Sequence, residues 1–240
     1  MGRAGLIAVL ALVATACAGS PTPKPRPVPY ANAPGSIYAP LRSPGPSPRG
    51  VAPTVLNVPG LLKPGQSVEG SVCSDPRILG RRISTINGAG ACGISAPVRV
   101  TSVSGIRLKN AIRVNCEAAK AFADWTDRSA KPSAEVMGAV LTNMRPVASY
   151  ACRTRNSRPG ARLSEHAKGN AVDIADFSFS NGKTISVLKG WRGEGSTYVR
   201  RVWKGACGPF GTVLGPESDR FHQDHFHFDI ARHRGGPYCK

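Results

Sequence analysis

The apolar residues of one segment recur at helical spacing after a polar residue that can cap a helix. Asn115 is followed by apolar positions every three or four residues, namely Ala118, Ala121, Phe122 and Trp125. This spacing predicts a helix that ends before Pro132, because proline disrupts a helix interior. Further helices are predicted from Ser133 to about Asn143 and from Ser196 to Ala206.

Shorter segments alternate between apolar and polar residues, or run apolar, in the manner of strands. The predicted strands are residues 97–103, expected at a sheet edge, and residues 146–153, 171–175, 184–188 and 225–228. Asn181-Gly182 marks the tip of a hairpin. Helices and short strands in this order predict an α+β fold, in which helices flank a small antiparallel sheet.

The start of the chain has a different pattern. A basic start and an apolar run from Leu6 to Ala16 predict a secretory signal sequence over residues 1–18, too short to span a membrane stably. Two processing routes fit: cleavage at the small residues up to Ala16, or lipidation of Cys17, which would attach the chain to a membrane. We therefore expect an exported protein, in the periplasm or anchored to the outer membrane of a bacterium.

Residues 19–64 contain proline, glycine, serine and arginine without periodicity. Such a segment favours extended polyproline II conformations and buries too little apolar surface to fold. It is predicted to be a disordered linker that acts as a spacer, with a proline-motif docking site as the alternative. The folded domain is then expected over residues 65–240.

The cysteines support export. Without Cys17, six remain: Cys73, Cys92, Cys116, Cys152, Cys207 and Cys239. An even number in an exported chain predicts three disulfides, for which we expect pairing in sequence order. A zinc–thiolate site is disfavoured, because no two cysteines have the C-x-x-C spacing.

The chain is strongly basic, with a formal net charge of +18 and a pI near 10.3. Such a charge favours an anionic neighbour. Nucleic acid is disfavoured by the export signal, by an aromatic content of only 6% and by the lack of a stacking or helix-reading motif. An anionic cell wall or outer-membrane surface fits better; the alternative is a compositional bias towards arginine.

The residues with the clearest chemistry lie in two short segments. His166 and Asp173 flank a Gly-Asn turn, so the chain can bring an imidazole and a carboxylate to one point. Asp173 lies among apolar residues, where an ionised carboxylate needs a cation or donor. In residues 225–228 the strand period places His225 and His227 on one face. Two histidines and one aspartate with an open fourth position describe a catalytic zinc site.

These segments carry a family resemblance. The pattern Ser164-x-His166-x-x-Gly169-x-Ala171-x-Asp173, followed by Asp224-His225-x-His227, resembles the signature of zinc peptidases that include D-Ala-D-Ala carboxypeptidases, endolysins and the hedgehog N-terminal domain. With residues 149–153 and 214–219 added, it is similar to the bacterial extensin-like C-terminal domain family over roughly two thirds of the chain. The resemblance implies a hedgehog/DD-peptidase-like fold and a Zn²⁺ held by His166, Asp173 and His227.

The resemblance also implies roles for neighbouring residues. Arg153 would bind a substrate carboxylate or the developing oxyanion, with Arg155 as a rival. Asp224 would be the general base, provided that the strand begins after it or bulges; otherwise it caps a loop. His225 is expected to stabilise the transition state or transfer a proton. Ser164 would orient substrate or a ligand, or cap a turn.

Three functions follow from these expectations. The leading one is zinc-dependent hydrolysis of amide bonds in peptidoglycan, by a monomeric endopeptidase or carboxypeptidase. The second is a cell-wall-binding module that retains zinc without turnover. The third, a purely structural envelope protein, leaves the histidines and aspartate unexplained.

Overall fold

The computed structural model describes residues 1–2 and 69–240. Beyond its first two residues, the predicted signal sequence over residues 1–18 lies outside the described residues, as does the linker predicted over residues 19–64. Within the described residues, no helix has both the length and the apolar character needed to cross a membrane.

Strands dominate the described part of the chain. The strands are β1 (Gly70–Val72), β2 (Asp75–Arg82), β3 (Ile86–Asn87), β4 (Gly93–Ile94), β5 (Val98–Val103), β6 (Ile106–Val114), β7 (Leu141–Ala148), β8 (Ala171–Phe179), β9 (Thr184–Ser186), β10 (Thr212–Leu214), β11 (Phe226–Asp229) and β12 (Tyr238–Cys239). The helices are α1 (Cys116–Trp125), α2 (Lys131–Glu135), α3 (Val187–Gly190) and α4 (Ser196–Ala206), with short 3-10 turns at Arg155–Ser157 and Glu165–Lys168.

Ten strands form one mixed sheet in the order β1-β2-β5-β6-β7-β8-β11-β10-β12, with β9 paired to β8. The pairs β6–β7 and β10–β12 are parallel, and the other pairs are antiparallel. The fold is therefore α+β, but the sheet is larger than expected and not purely antiparallel. The parallel pair β6–β7 arises because α1 and α2 form the crossover between these strands.

One face of the sheet packs against the helices around Trp125, which is fully buried. Its ring lies 5.5 Å from that of Phe122 and 5.1 Å from that of Phe228, and its indole N–H donates to the carbonyl of Val202 at 2.9 Å. Phe226 and Phe228 of β11 also enter this core. The intervening residue, His227, therefore points to the opposite face, as the strand period predicts.

Two predicted elements differ from the structure. The helix that begins after Asn115 does not end before Pro132 but continues through a π-helical turn, Thr126–Ala130, into α2. Pro132 lies in the first turn of α2, where a missing N–H is tolerated. The helix expected over residues 133–143 ends at Glu135, because residues from Leu141 onward pair with β8 instead.

Helix α4 confirms its predicted bounds, and β8 and β9 form the predicted hairpin. β9 ends at Ser186, however, and residues 187–188 begin helix α3 instead of completing the strand predicted over residues 184–188. Two other predicted strands need correction. β5 is an internal strand between β2 and β6, so residues 97–103 do not form a sheet edge. The strand predicted over residues 146–153 begins earlier, at Leu141, and ends at Ala148. Arg153 consequently lies in a loop.

The described residues contain three disulfides, as the cysteine count predicts, but only one has the expected pairing. Cys207–Cys239 is confirmed, whereas the other pairs are Cys73–Cys116 and Cys92–Cys152. Sequence-order pairing was wrong for these four cysteines because the sheet brings the start of β2 beside α1, and the β3–β4 loop beside the segment after β7. Cys152 thus anchors the loop that carries Arg153.

Candidate metal centre

His166 is positioned by a capped 3-10 turn that precedes β8. Ser164 caps this turn, because its hydroxyl accepts the backbone N–H of His166 at 3.3 Å. The turn ends at Gly169, whose φ of 68° lies in the left-handed region that favours glycine. The Asn115 backbone N–H donates to the Gly169 carbonyl at 3.0 Å, which ties the turn to the start of α1.

Asp173 and His227 are brought together by the pairing of β8 with β11. They are direct partners in the antiparallel register, so their side chains project from the same face. Asp173 Oδ1 lies 2.9 Å from His227 Nδ1 and 3.1 Å from His166 Nε2. The two ring nitrogens are 3.1 Å apart. All three residues are buried, so the predicted metal ligands converge as a compact, largely buried triangle.

The outer nitrogen of each histidine has a partner that determines the tautomer of the neutral ring. His166 Nδ1 lies 2.6 Å from the carbonyl oxygen of Ser149, which can only accept, so this nitrogen carries the proton. His227 Nε2 lies 2.9 Å from the carboxylate of Asp229 and donates to it. Neutral His166 and His227 therefore present lone pairs at Nε2 and Nδ1, towards Asp173.

This donor set fits a divalent metal. Three buried lone-pair atoms face one another with no N–H group between them, which is costly unless a cation is shared. Imidazole and carboxylate ligands suit zinc, and outer carboxylate or carbonyl partners of ligating histidines are a recurrent feature of such sites. The set His166, Asp173 and His227 can thus hold zinc by three protein atoms.

Without a metal, a proton can supply the positive charge that these buried acceptor atoms need. Burial disfavours the charged imidazolium of His227, but the carboxylates of Asp173 and Asp229 outweigh burial and raise the pKa of His227 to about 9. Burial likewise opposes the charge of Asp173, yet His166 and His227 hold the pKa of this carboxyl far below its usual range. The site therefore favours one positive charge among these atoms.

The candidate base, Asp224, does not reach the triangle directly. Its side chain is 70% exposed and lies 2.7 Å from His225 Nδ1. His225 Nε2 in turn lies 3.7 Å from Asp173 Oδ2. β11 begins at Phe226, after Asp224, as the expected strand parity required. Of these two residues, His225 is thus the nearer to the ligands, with Asp224 behind it.

An open cleft of about 480 Å³ leads to the triangle. Arg153, Arg155, Ser164 and His225 all line it, whereas Asp224 does not. Arg153 therefore lies in the cleft that contains the three ligands, and Arg155 stays a rival in the same cleft. The hydroxyl of Ser164 is engaged in capping the turn, so a direct contact of this group with substrate is not needed to explain it.

Two features of the site escaped the sequence interpretation. Asp229 was missed, although the run His225-Phe226-His227-Phe228-Asp229 places it on the same strand face as His227. His222, unassigned from sequence, lines the cleft with its Nδ1 2.7 Å from Asp219. Burial lowers the pKa of His222, although Asp219 opposes this shift. Nothing in its local pattern distinguished His222 from a surface histidine.

The comparisons with known proteins give one match. The family described as "Extensin-like protein C-terminus" matches residues 74–240, a range that contains every residue of the triangle and the cleft. No curated protein and no solved structure matches the chain.

Proposed function

The chain belongs to the extensin-like protein C-terminus family, and from this premise we propose that it is a zinc-dependent peptidase acting on peptidoglycan. The bonds would be amides in the stem peptides or their cross-links. The proposal extends to the relationship with D-Ala-D-Ala carboxypeptidase and hedgehog-type zinc peptidases, whose signature the two motifs of this chain resemble.

One observation carries the proposal: the ring nitrogens of His166 and His227 and the carboxylate of Asp173 converge at 2.9–3.1 Å. The carbonyl of Ser149 and the carboxylate of Asp229 supply the outer partners that keep both lone pairs directed inward. Zinc held by such a set supplies a Lewis acid that polarises a carbonyl and makes water nucleophilic at neutral pH. A purely structural role would not require a cleft open to this triangle.

His225 is the residue best placed to move a proton. Its Nδ1 lies 2.7 Å from the Asp224 carboxylate, which can accept a hydrogen bond from the Nδ1–H group. Nε2 is then the unprotonated nitrogen, which can take up a proton at the cleft. In this arrangement Asp224 orients His225 and stabilises its charged form, as the carboxylate does in a catalytic triad. We therefore assign proton transfer to the pair, with His225 as the contacting group.

Substrate binding is assigned to the arginines of the cleft. Arg153 follows Cys152, whose disulfide to Cys92 restrains this loop. Stem peptides of peptidoglycan bear carboxylates, and a guanidinium group matches a carboxylate through two parallel hydrogen bonds. Arg153, or Arg155 beside it, would fix the substrate relative to the triangle.

The cellular setting is part of the proposal. Three disulfides support export to an oxidising compartment, since such bonds are rare in the cytosol. The proposed location is the periplasm or the outer membrane of a bacterium, with attachment through Cys17 if this residue is lipidated. The protein would act as a monomer.

A second candidate is a cell-wall-binding module that retains zinc without turnover. The observation that favours it is the exposure of Asp224, which keeps this candidate base out of direct contact with the ligand triangle. In this case the cleft would capture the wall peptide, and the zinc would stabilise the fold.

A digestion experiment separates the two candidates. The zinc-loaded full chain is incubated with purified peptidoglycan, with and without a chelator, and the released fragments are identified by mass. Defined fragments that disappear with chelator and with His227→Ala support the peptidase. Zinc-dependent binding to peptidoglycan without any released fragment would establish the binding module instead.

A further inference from the structure

A row of three arginines crosses three neighbouring strands outside the cleft of the metal centre, although the Arg113 backbone N–H donates to the hydroxyl of Ser149, whose carbonyl contacts His166. Arg81 of β2 is the direct register partner of Arg99 of β5, and Arg99 is the partner of Arg113 of β6. Directly opposed residues point to the same face of a sheet. Because adjacent strands lie about 4.8 Å apart, the row places three positive charges within roughly 10 Å.

Two more cations extend this row along β6. Arg107 and Lys109 are exposed and alternate with the buried residues Ile106 and Leu108, so they project away from the core. We call Arg81, Arg99, Arg107, Lys109 and Arg113 the cationic face. Among the described residues, its one ion pair joins Arg99 to Glu69 at 3.2 Å.

The cationic face has an electrostatic cost, of which the ion pair of Arg99 with Glu69 and the position of the Arg113 guanidinium 5.8 Å from the Tyr150 ring centroid offset a part. Like charges directly opposed across strands are destabilising, and an uncharged polar residue could occupy these half-buried or exposed positions without that cost. The N-terminal 68 residues cannot supply the missing negative charge, because every acidic residue of the chain lies at or after Glu69. Among the described residues, Glu69 is the one acidic side chain paired with this face, so any further anion that neutralises it comes from solvent or from another molecule.

The geometry points to a surface rather than a polymer strand as the partner. The cations spread both across the strands and along β6, and none of the five lines the cleft of the metal centre. Four of them are arginines, whose planar groups match phosphate oxygens in pairs. Three such groups within roughly 10 Å suit a dense anion better than widely spaced peptide carboxylates.

We propose that the cationic face binds the phosphate-bearing headgroups of an anionic lipid surface. This role is independent of the metal centre and of any turnover there. It would hold the folded domain against a membrane by charge, whether or not the N-terminal segment is anchored.

Vesicle partitioning tests this proposal. The full chain, carrying Cys17→Ser to prevent lipidation, is mixed with vesicles of phosphatidylcholine alone or with about a third phosphatidylglycerol, and the readout is the ratio of the two partition coefficients. Any apolar insertion of the N-terminal segment would raise the partition coefficients for both kinds of vesicle by the same factor, so it cancels in their ratio. Each cation near an anionic membrane contributes about 1 kcal/mol, so the triple variant Arg81→Gln, Arg99→Gln, Arg113→Gln should lower the ratio roughly 100-fold.

The matched control removes the same charge from the helical side of the domain. Lys120→Gln, Arg128→Gln and Arg201→Gln alter three exposed cations on helical segments, and this variant should lower the ratio less than about threefold. The arginine variant should also unfold at a temperature no lower than wild type, because it removes opposed like charges. Equal losses in the two variants would mean that net charge alone drives binding, and would overturn the assignment.

Two further measurements distinguish an anionic lipid surface from other anionic partners. Titration with inorganic phosphate should show no saturable binding at millimolar concentration; tight saturable binding would replace the lipid surface by a free phosphate ligand. Sedimentation with purified peptidoglycan should be the same for the arginine variant and wild type. If this variant loses peptidoglycan binding and keeps its vesicle ratio, the face belongs to wall recognition and the proposal is wrong.

Discussion

Asp173 and His227 face each other directly across two antiparallel strands, with 2.9 Å between Oδ1 and Nδ1. Their meeting depends on the register of β8 against β11. A shift by one residue would turn His227 into the core and place Phe226 or Phe228 beside Asp173. Packing of Phe226 and Phe228 in the core therefore fixes the register of β11 against β8, and with it the geometry of the ligand triangle.

Asp229 should control metal affinity without being a ligand. Asp229→Asn weakens the acceptor for the His227 Nε2 proton and so reduces the preference for the tautomer that directs Nδ1 inward. We expect zinc affinity to fall about 10–100-fold, measured by competition with a chromophoric chelator. His166→Ala should abolish stoichiometric zinc, whereas Asp224→Asn should retain it. Unchanged affinity in Asp229→Asn would show that this carboxylate does not orient His227.

Asp224 and His225 should act as one unit. If the protein hydrolyses peptidoglycan, Asp224→Asn and His225→Ala should each lower the rate by roughly 10²–10⁴-fold with zinc still bound, because both disable the same proton transfer. The double variant should then be no slower than the worse single variant. Rates are measured from released fragments at matched zinc content. Additive losses would instead assign Asp224 an independent role as base.

Zinc binding should release a proton. The pKa of His227 in the metal-free protein is about 9, so near neutral pH this site holds a proton that the metal displaces. Calorimetry in buffers of different ionisation enthalpy should give about one proton per zinc from His227 near pH 7.5, and this contribution should fall towards zero above pH 9, separate from the proton that zinc-bound water releases. In metal-free protein this group stabilises the fold below its unfolded pKa, and the contribution is lost as pH rises through about 9. No proton release near pH 7.5 would contradict the assignment.

Gly169 should be intolerant of a side chain. A Cβ at this residue would lie 2.2 Å from Ile94 Cδ1, and the φ of 68° adds backbone strain. Gly169→Ala should therefore lower the free energy of unfolding by about 2–4 kcal/mol and weaken zinc binding, since the turn carries His166. Gly182→Ala is the control, because it has a positive φ of 79° but open space around the Cβ. Chemical denaturation compares them, and equal losses would remove the contact with Ile94 from the explanation.

Local sequence was informative wherever a pattern was complete within a few residues. Asn115 as a helix cap, the bounds of α4 and the opposed faces of residues 225–228 all follow from local periodicity and confirm the predictions. The spacing of His166 and Asp173 around a Gly-Asn turn likewise placed both at one site. In each case the backbone conformation of one element decides the outcome.

Features that depend on pairing between distant segments were decided only by the tertiary structure. Cys73 joins Cys116, and Leu141 begins a strand rather than ending a helix, because the sheet selects partners that local propensity does not report. The approach of His166 to His227, 61 positions apart in the chain, arises in the same way. The amino-acid sequence by itself determined which groups can bind a metal. Which of these groups point into the metal site was decided by strand register and side-chain burial, because register and burial depend on contacts between residues far apart in the chain.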